Sequence, residues 1–332
     1  MEALTIHQPN AVDVLDVPVP AVGAGEVLVK VVACGICGTD VHIYRGEYLG
    51  GYPVVPGHEF AGEVVAVGEG VSRIHTGDRV AVEPNIACDN CENCLNNRQN
   101  FCLNWQAVGV TRPGGMAEYV AVPEKAVFDV GALPYEAAAF VEPLSCVIHG
   151  IERAEMRLAD RIAILGAGPI GLLLLQVARQ RGAEDVTVLE RQQARGELAL
   201  SLGASRWVED LAALPESAFD VVVDATGVPP VMGQTVDLAR PGGTILLFGV
   251  PPRGADLTLD AFAIFEKGLT LRSSFTSLRN SLQAVSILQS GQVQVAELVS
   301  HRLPLREFER GVEMIESGHD GVKKVLMVPT ES

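Results

Sequence analysis

The stretch that most restricts the fold is Arg161-Ile162-Ala163-Ile164-Leu165, followed by Gly166-Ala167-Gly168-Pro169-Ile170-Gly171. The apolar run reads as a buried strand, and the glycine pattern opens a helical segment that runs to Arg181. A second strand, Val186-Thr187-Val188-Leu189, ends at Glu190, about 20 residues beyond the turn, where a dinucleotide-binding βαβ unit carries its acid. The glycines let a pyrophosphate approach backbone amides at a helix N-terminus. This assigns Gly166, Gly168, Pro169, Ile170 and Gly171 to a cofactor. Glu190 is expected to accept hydrogen bonds from the adenosine ribose and to repel a 2′-phosphate, which favours NAD over NADP. Arg191 and Arg195 follow closely, and either one reaching a phosphate would shift the preference toward NADP.

Further strands follow at Phe219 to Asp224, Gly243 to Phe248 and Leu269 to Arg272. Two of them end at Thr226-Gly227 and Phe248-Gly249. Ligands bind outside the carboxyl ends of parallel strands, so Thr226 and Phe248 are expected to flank the nicotinamide half. The first 130 residues have a different texture, with short β-branched runs such as Val27 to Val32 and Val64 to Val67 broken by glycine and proline. That pattern predicts a small, barrel-like β domain. The chain is therefore α/β with a β-rich second domain, and its closing run Lys324 to Val328 is expected to return to the first.

Four cysteines stand at Cys88, Cys91, Cys94 and Cys102 in a polar segment with little to bury. The spacing suits a closed tetrahedral zinc site that gives the loop a shape packing cannot supply. Disulfides and an iron–sulfur cluster are the other uses of such a set. The expected reducing compartment argues against the first, and the second stays open.

A separate constellation is spread over three segments: Cys37 between Gly35 and Gly38, His58 after Pro56-Gly57, and Glu142 in the mostly apolar stretch Ala137 to Val141. A buried carboxylate costs several kcal/mol unless paired or bound to a metal. Cys37, His58 and Glu142 are expected to hold a second zinc with one open position, the arrangement of a catalytic metal. Glu59, directly after His58, is a candidate to exchange with Glu142 or water. Cys34 is expected to be a buried bystander. Asp40 is expected either to fix the His58 tautomer or to cap the helix after Cys37.

The formal charge of −16 argues against nucleic acid, because phosphate binding needs a basic footprint. No apolar run has the length of a membrane span, and Met1-Glu2-Ala3-Leu4 lacks the basic and apolar regions of a signal peptide, so a cytoplasmic location is expected.

Together these motifs resemble the zinc-dependent medium-chain alcohol dehydrogenase family nearly end to end. The resemblance rests on Gly35-Ile36-Cys37-Gly38-Thr39-Asp40-Val41-His42, Gly57-His58-Glu59, the four-cysteine loop, Glu142-Pro143-Leu144 and the glycine turn. It implies a discontinuous GroES-like catalytic domain, residues 1–143 and 275–332, around a Rossmann domain, residues 144–274. It also implies two zinc ions per chain, a homodimer or homotetramer, and an alcohol or polyol substrate oxidised to a ketone. A proton relay through Thr39 and His42 is implied as well. Within the family, Gly109 to Gly114 is similar to threonine dehydrogenases, whereas Asn85 and Glu142-Pro143 depart from them toward polyol enzymes. Ser274-Phe275 replaces the arginine–tyrosine pair of sorbitol dehydrogenases. A non-catalytic zinc or nucleotide-binding protein and a metal-free quinone reductase are the competing classes; intact Cys37, His58 and Glu142 speak against both.

Overall fold

The computed structural model describes residues 1–318 and 321–329. The chain divides into two compact units, one formed by Met1–Ser145 and the chain from Leu278 onward, the other by Cys146–Ser277.

The second unit is built on a six-stranded sheet whose strands all run parallel. Numbered in chain order, Arg161–Leu165, Asp185–Leu189, Arg206–Val208, Phe219–Asp224, Ala239–Leu247 and Thr270–Ser273 lie in the order 3-2-1-4-5-6. That order is the doubly wound Rossmann arrangement, with its switch point between the first and fourth strands. Ile162, Ala163, Ile164 and Leu165 are wholly buried, as expected of a central parallel strand covered on both faces. The helix Pro169–Gln180 begins with proline at its first position, where a missing N–H costs nothing. It buries Leu172, Leu173, Leu174 and Leu175 completely.

In the first unit, a mostly antiparallel sheet runs Val299–Pro304, Lys324–Val328, Glu26–Gly35, Glu59–Val67, Arg79–Val82 and Val127–Asp129, with Tyr119–Pro123 also paired to Glu26–Gly35. The closing strand does return to this unit: Leu326 pairs with Gly35 and Met327 with Cys34. Val27, Val29, Val31, Phe60, Val64 and Val80 form the centre of its core. Among the described residues, no helix is long and apolar enough to cross a membrane.

Candidate metal centres and dinucleotide site

Cys37 lies at the end of the turn after Glu26–Gly35 and caps the helix Gly38–Arg45 from an extended conformation. Asp40, three residues later and wholly buried, ties this turn to the next ligand segment. Its Oδ2 accepts from the Cys37 N–H at 2.9 Å and its Oδ1 from the Gly57 N–H at 3.0 Å. The same Oδ1 is 3.5 Å from His58 Nδ1. Asp40 therefore faces the His58 ring as expected but is not the helix cap: Cys37 holds that position, and Asp40 is the third residue of the first turn.

Gly57 has φ +93, and a Cβ there would come 2.6 Å from Cys34 Sγ and 2.8 Å from the Met116 nitrogen. Glycine is thus required where the chain passes the buried Cys34 just before His58, and the Cys34 thiol is pushed well up first by burial. Gly57→Ala is expected to cost about 2–4 kcal/mol, combining left-handed strain with overpacking, and to lower the melting temperature by several degrees. Thermal unfolding followed by circular dichroism measures it.

The ligand atoms of Cys37, His58 and Glu59 all lie within 4.8 Å of one another. Glu142 is outside this group. It lies in the first turn of the helix Val141–Arg153, is 8% exposed, and is therefore a buried helix-start carboxylate rather than a solvated one. Its charge reaches the same neighbourhood. The Tyr48 phenol is raised first by burial, then lowered by His58 and raised by Cys37 and Glu142, with a hydrogen bond to Thr39. Burial alone would push His58 down. The charges of Asp40 and Cys37 outweigh it and hold the imidazole well above its usual range. The pocket thus draws positive charge, and a thiolate, an imidazole and a carboxylate are a donor set suited to zinc.

Sequence reasoning missed Lys324. Its ammonium is buried and ion-paired with Glu59, next to the three-residue cluster. Gly35 makes room for the pair, since a Cβ there would meet Glu59 Oε2 at 2.4 Å and Lys324 Cε at 2.6 Å. Burial would lower the lysine, but the charges of Glu59 and Cys37 hold it above its ordinary value. A charged residue heading the apolar run Val325 to Val328 was the available signal. His42 lies one turn beyond Thr39, with Nδ1 2.9 Å from Glu47 Oε2.

The four-cysteine loop holds its sulfurs within 4.8 Å of one another, and all four are free of disulfides. Cys91 Sγ is 3.5 Å from Cys94 Sγ and 3.9 Å from Cys102 Sγ. Sulfurs about 2.3 Å from a tetrahedral zinc stand about 3.8 Å apart, so the loop fits that ion. Backbone N–H groups of Cys88 and Asn104 point at Cys102 Sγ, and that of Leu103 at Cys91 Sγ.

In the second unit, Gly166 has φ +102 and Gly171 lies so close to it that a Cβ would fall 1.9 Å from the Gly166 carbonyl oxygen. Gly168, the helix N-cap, has no atom within 4 Å of such a Cβ, leaving open space at the amides where a pyrophosphate would approach. Pro169 and Ile170 form the first turn of the helix. Glu190 accepts from the Ala167 N–H at 3.0 Å and the Gln192 N–H at 2.9 Å, so its carboxylate is fixed beside the glycine turn. Arg195 is half-buried, and burial lowers its guanidinium against the opposing charge of Glu190. Thr226 donates from N and Oγ1 to Asp224 Oδ1. The Phe248 ring packs on Gly150, and its N–H bonds the Asp224 carbonyl.

A family model for the alcohol dehydrogenase GroES-like domain matches residues 23–132, and one for zinc-binding dehydrogenases matches residues 169–290. D-altritol 5-dehydrogenase of Agrobacterium fabrum is 38% identical over 314 residues, covering 92% of this chain and 94% of that one. L-threonine 3-dehydrogenase of Idiomarina loihiensis is 33% identical over 344 residues, covering 98% and 99%. A solved zinc-binding dehydrogenase of Sinorhizobium meliloti, bound to NADP, superimposes with a TM-score of 0.94 at 35% identity, over 99% of each chain.

Proposed function

The chain belongs to the zinc-dependent medium-chain alcohol dehydrogenase family, and from that premise we propose that it oxidises a polyol to a ketone with NAD as hydride acceptor. The observation that carries this reading is the meeting of the half-buried Cys37 with the buried His58 and Glu59. We assign the first unit the alcohol-binding metal and the second the dinucleotide.

Cys37 and His58 are the proposed fixed ligands, with Glu59 and Glu142 as the two carboxylates available for the third place. Zinc bound there would act as a Lewis acid that lowers the pKa of a substrate hydroxyl. Asp40 faces His58 Nδ1, which leaves the opposite ring nitrogen for the metal. The Thr39 hydroxyl is the proposed first acceptor of the substrate proton, and His42, paired with Glu47, passes it to solvent. Cys88, Cys91, Cys94 and Cys102 are assigned a second, structural zinc, which makes two ions per chain. A cytoplasmic homodimer or homotetramer is part of the same reading, and mass measurement in solution tests the assembly.

NAD is favoured because Glu190 follows the second strand with its carboxylate fixed beside the glycine turn, and an acid at that place in a dinucleotide fold bonds the ribose hydroxyls and repels a 2′-phosphate. Glu190→Ala is expected to raise the NADP-to-NAD ratio of kcat/KM about tenfold or more, through loss of like-charge repulsion and of the ribose hydrogen bonds. An unchanged ratio overturns the assignment. The overall reading is tested by NAD and NADP reduction with polyols, secondary alcohols, vicinal diols and L-threonine, before and after chelation. Polyol-dependent, chelator-sensitive NADH formation supports it. Preferential turnover of L-threonine, or turnover indifferent to chelation, refutes it.

A further inference from the structure

Glu83 directly follows the strand Arg79–Val82 and is only 8% exposed. Its Oε1 accepts from the Asn85 N–H at 3.2 Å and from Asn85 Nδ2 at 2.6 Å. Its Oε2 accepts from the Ser281 hydroxyl at 2.8 Å and lies 3.3 Å from Ser145 Oγ. These donors come from three different segments. Asn85 leads to the four-cysteine loop: its Oδ1 accepts from Trp105 Nε1 at 3.0 Å, and the Trp105 N–H bonds the Cys102 carbonyl at 3.1 Å. Ser145, wholly buried, belongs to the helix Val141–Arg153, and its hydroxyl is 2.7 Å from the Glu142 carbonyl. That single proton is therefore shared between Glu142 and Glu83. Ser281 starts the helix Ser281–Gln289.

A buried carboxylate is a costly way to fill space, and apolar residues of similar volume often serve stability as well or better. What the charge adds is a common anchor for donors that packing alone would not align. We propose that Glu83 is a positioning residue. It holds the helix turn that carries Glu142 and links that turn, through Asn85 and Trp105, to the four-cysteine loop, so that the metal-bound shape of the loop sets where Glu142 stands. The proposal rests on the dehydrogenase reading above.

The test uses zinc-loaded Ser145→Ala, Glu83→Gln and the double variant. Ser145→Ala removes the shared hydroxyl but leaves Glu83 its bonds from Asn85 and Ser281. Glu83→Gln keeps the shape and removes the charge. Each single change is expected to lower kcat about tenfold, the low end for outer partners of a metal ligand, while KM for the dinucleotide stays within about twofold. The double variant is expected to be no slower than the slower single one, because both break the same link. Cobalt placed at the Cys37 centre should show a shifted visible band in each variant. Wild-type kcat in both singles, or fully multiplicative losses in the double, overturns the proposal. Should Glu83→Gln fail to fold, Trp105→Phe severs the far end of the link. The expected result is then a lower kcat with the loop zinc retained; an unchanged kcat overturns the proposal. Absence of turnover in the wild-type holoprotein would remove the dehydrogenase reading itself, whereas an active wild type with unaffected variants removes only this inference.

Discussion

His58→Ala is expected to lower kcat about a thousandfold or more while leaving the chain folded. Metal polarisation of a substrate oxygen is worth several kcal/mol, and each 1.36 kcal/mol is tenfold in rate. The local frame survives because Asp40 still bonds the N–H groups of Cys37 and Gly57 without the imidazole. Zinc analysis is expected to show one ion lost per chain and the four-cysteine ion retained. A variant with both ions and normal turnover would remove His58 from the metal site.

Cys94→Ser is expected to lower stability through the four-cysteine loop. Between Cys88 and Trp105 the buried side chains are Cys94, Asn100 and Cys102, while Leu95, Phe101 and Leu103 are 72%, 54% and 66% exposed. Such a loop has almost no apolar core, and on the proposed reading its order comes from the assigned zinc, a kind of binding worth about 10 kcal/mol in small zinc domains. Only part of that appears in global unfolding, because the loop can open by itself. A loss of about 3 kcal/mol lowers the melting temperature by roughly 6–12 °C. Trp105, whose indole bonds Asn85 beside this loop, should report the opening as a red-shifted emission in a Trp207→Phe background. Unchanged melting and emission would mean that packing holds the loop.

Parts of this molecule were legible because their determinants are local. The strand from Arg161, the glycine turn and Glu190 lie in one continuous stretch. The close approach of Gly171 to Gly166 explains why those positions carry no side chain. The four-cysteine loop is similarly contained in fifteen residues. The metal pocket was legible in its members but not in their arrangement. Spacing pointed to Glu142 as third partner and Glu59 as alternate, whereas the structure groups Glu59 with Cys37 and His58. Glu59 opens a strand, and its carboxylate is oriented by Lys324, which arrives from the far end of the chain. The charge at the head of the apolar run Val325 to Val328 marks Lys324 as unusual, but nothing in the sequence names Glu59 as its partner. Asp40 shows the same limit. Its position suggested a helix cap or a partner for His58, and only the convergence of Cys37 and Gly57 shows its carboxylate tying the two ligand segments together. Glu83 lies in a short strand-to-loop passage with no motif, and its partners Ser145 and Ser281 come together only in the folded unit.

The most direct measurement is zinc per chain followed alongside hydride transfer during graded chelation. The account predicts two ions at the start and loss of polyol-dependent NAD reduction in step with the ion held by Cys37 and His58, while the four-cysteine ion remains. Full turnover by protein stripped of that ion would contradict it.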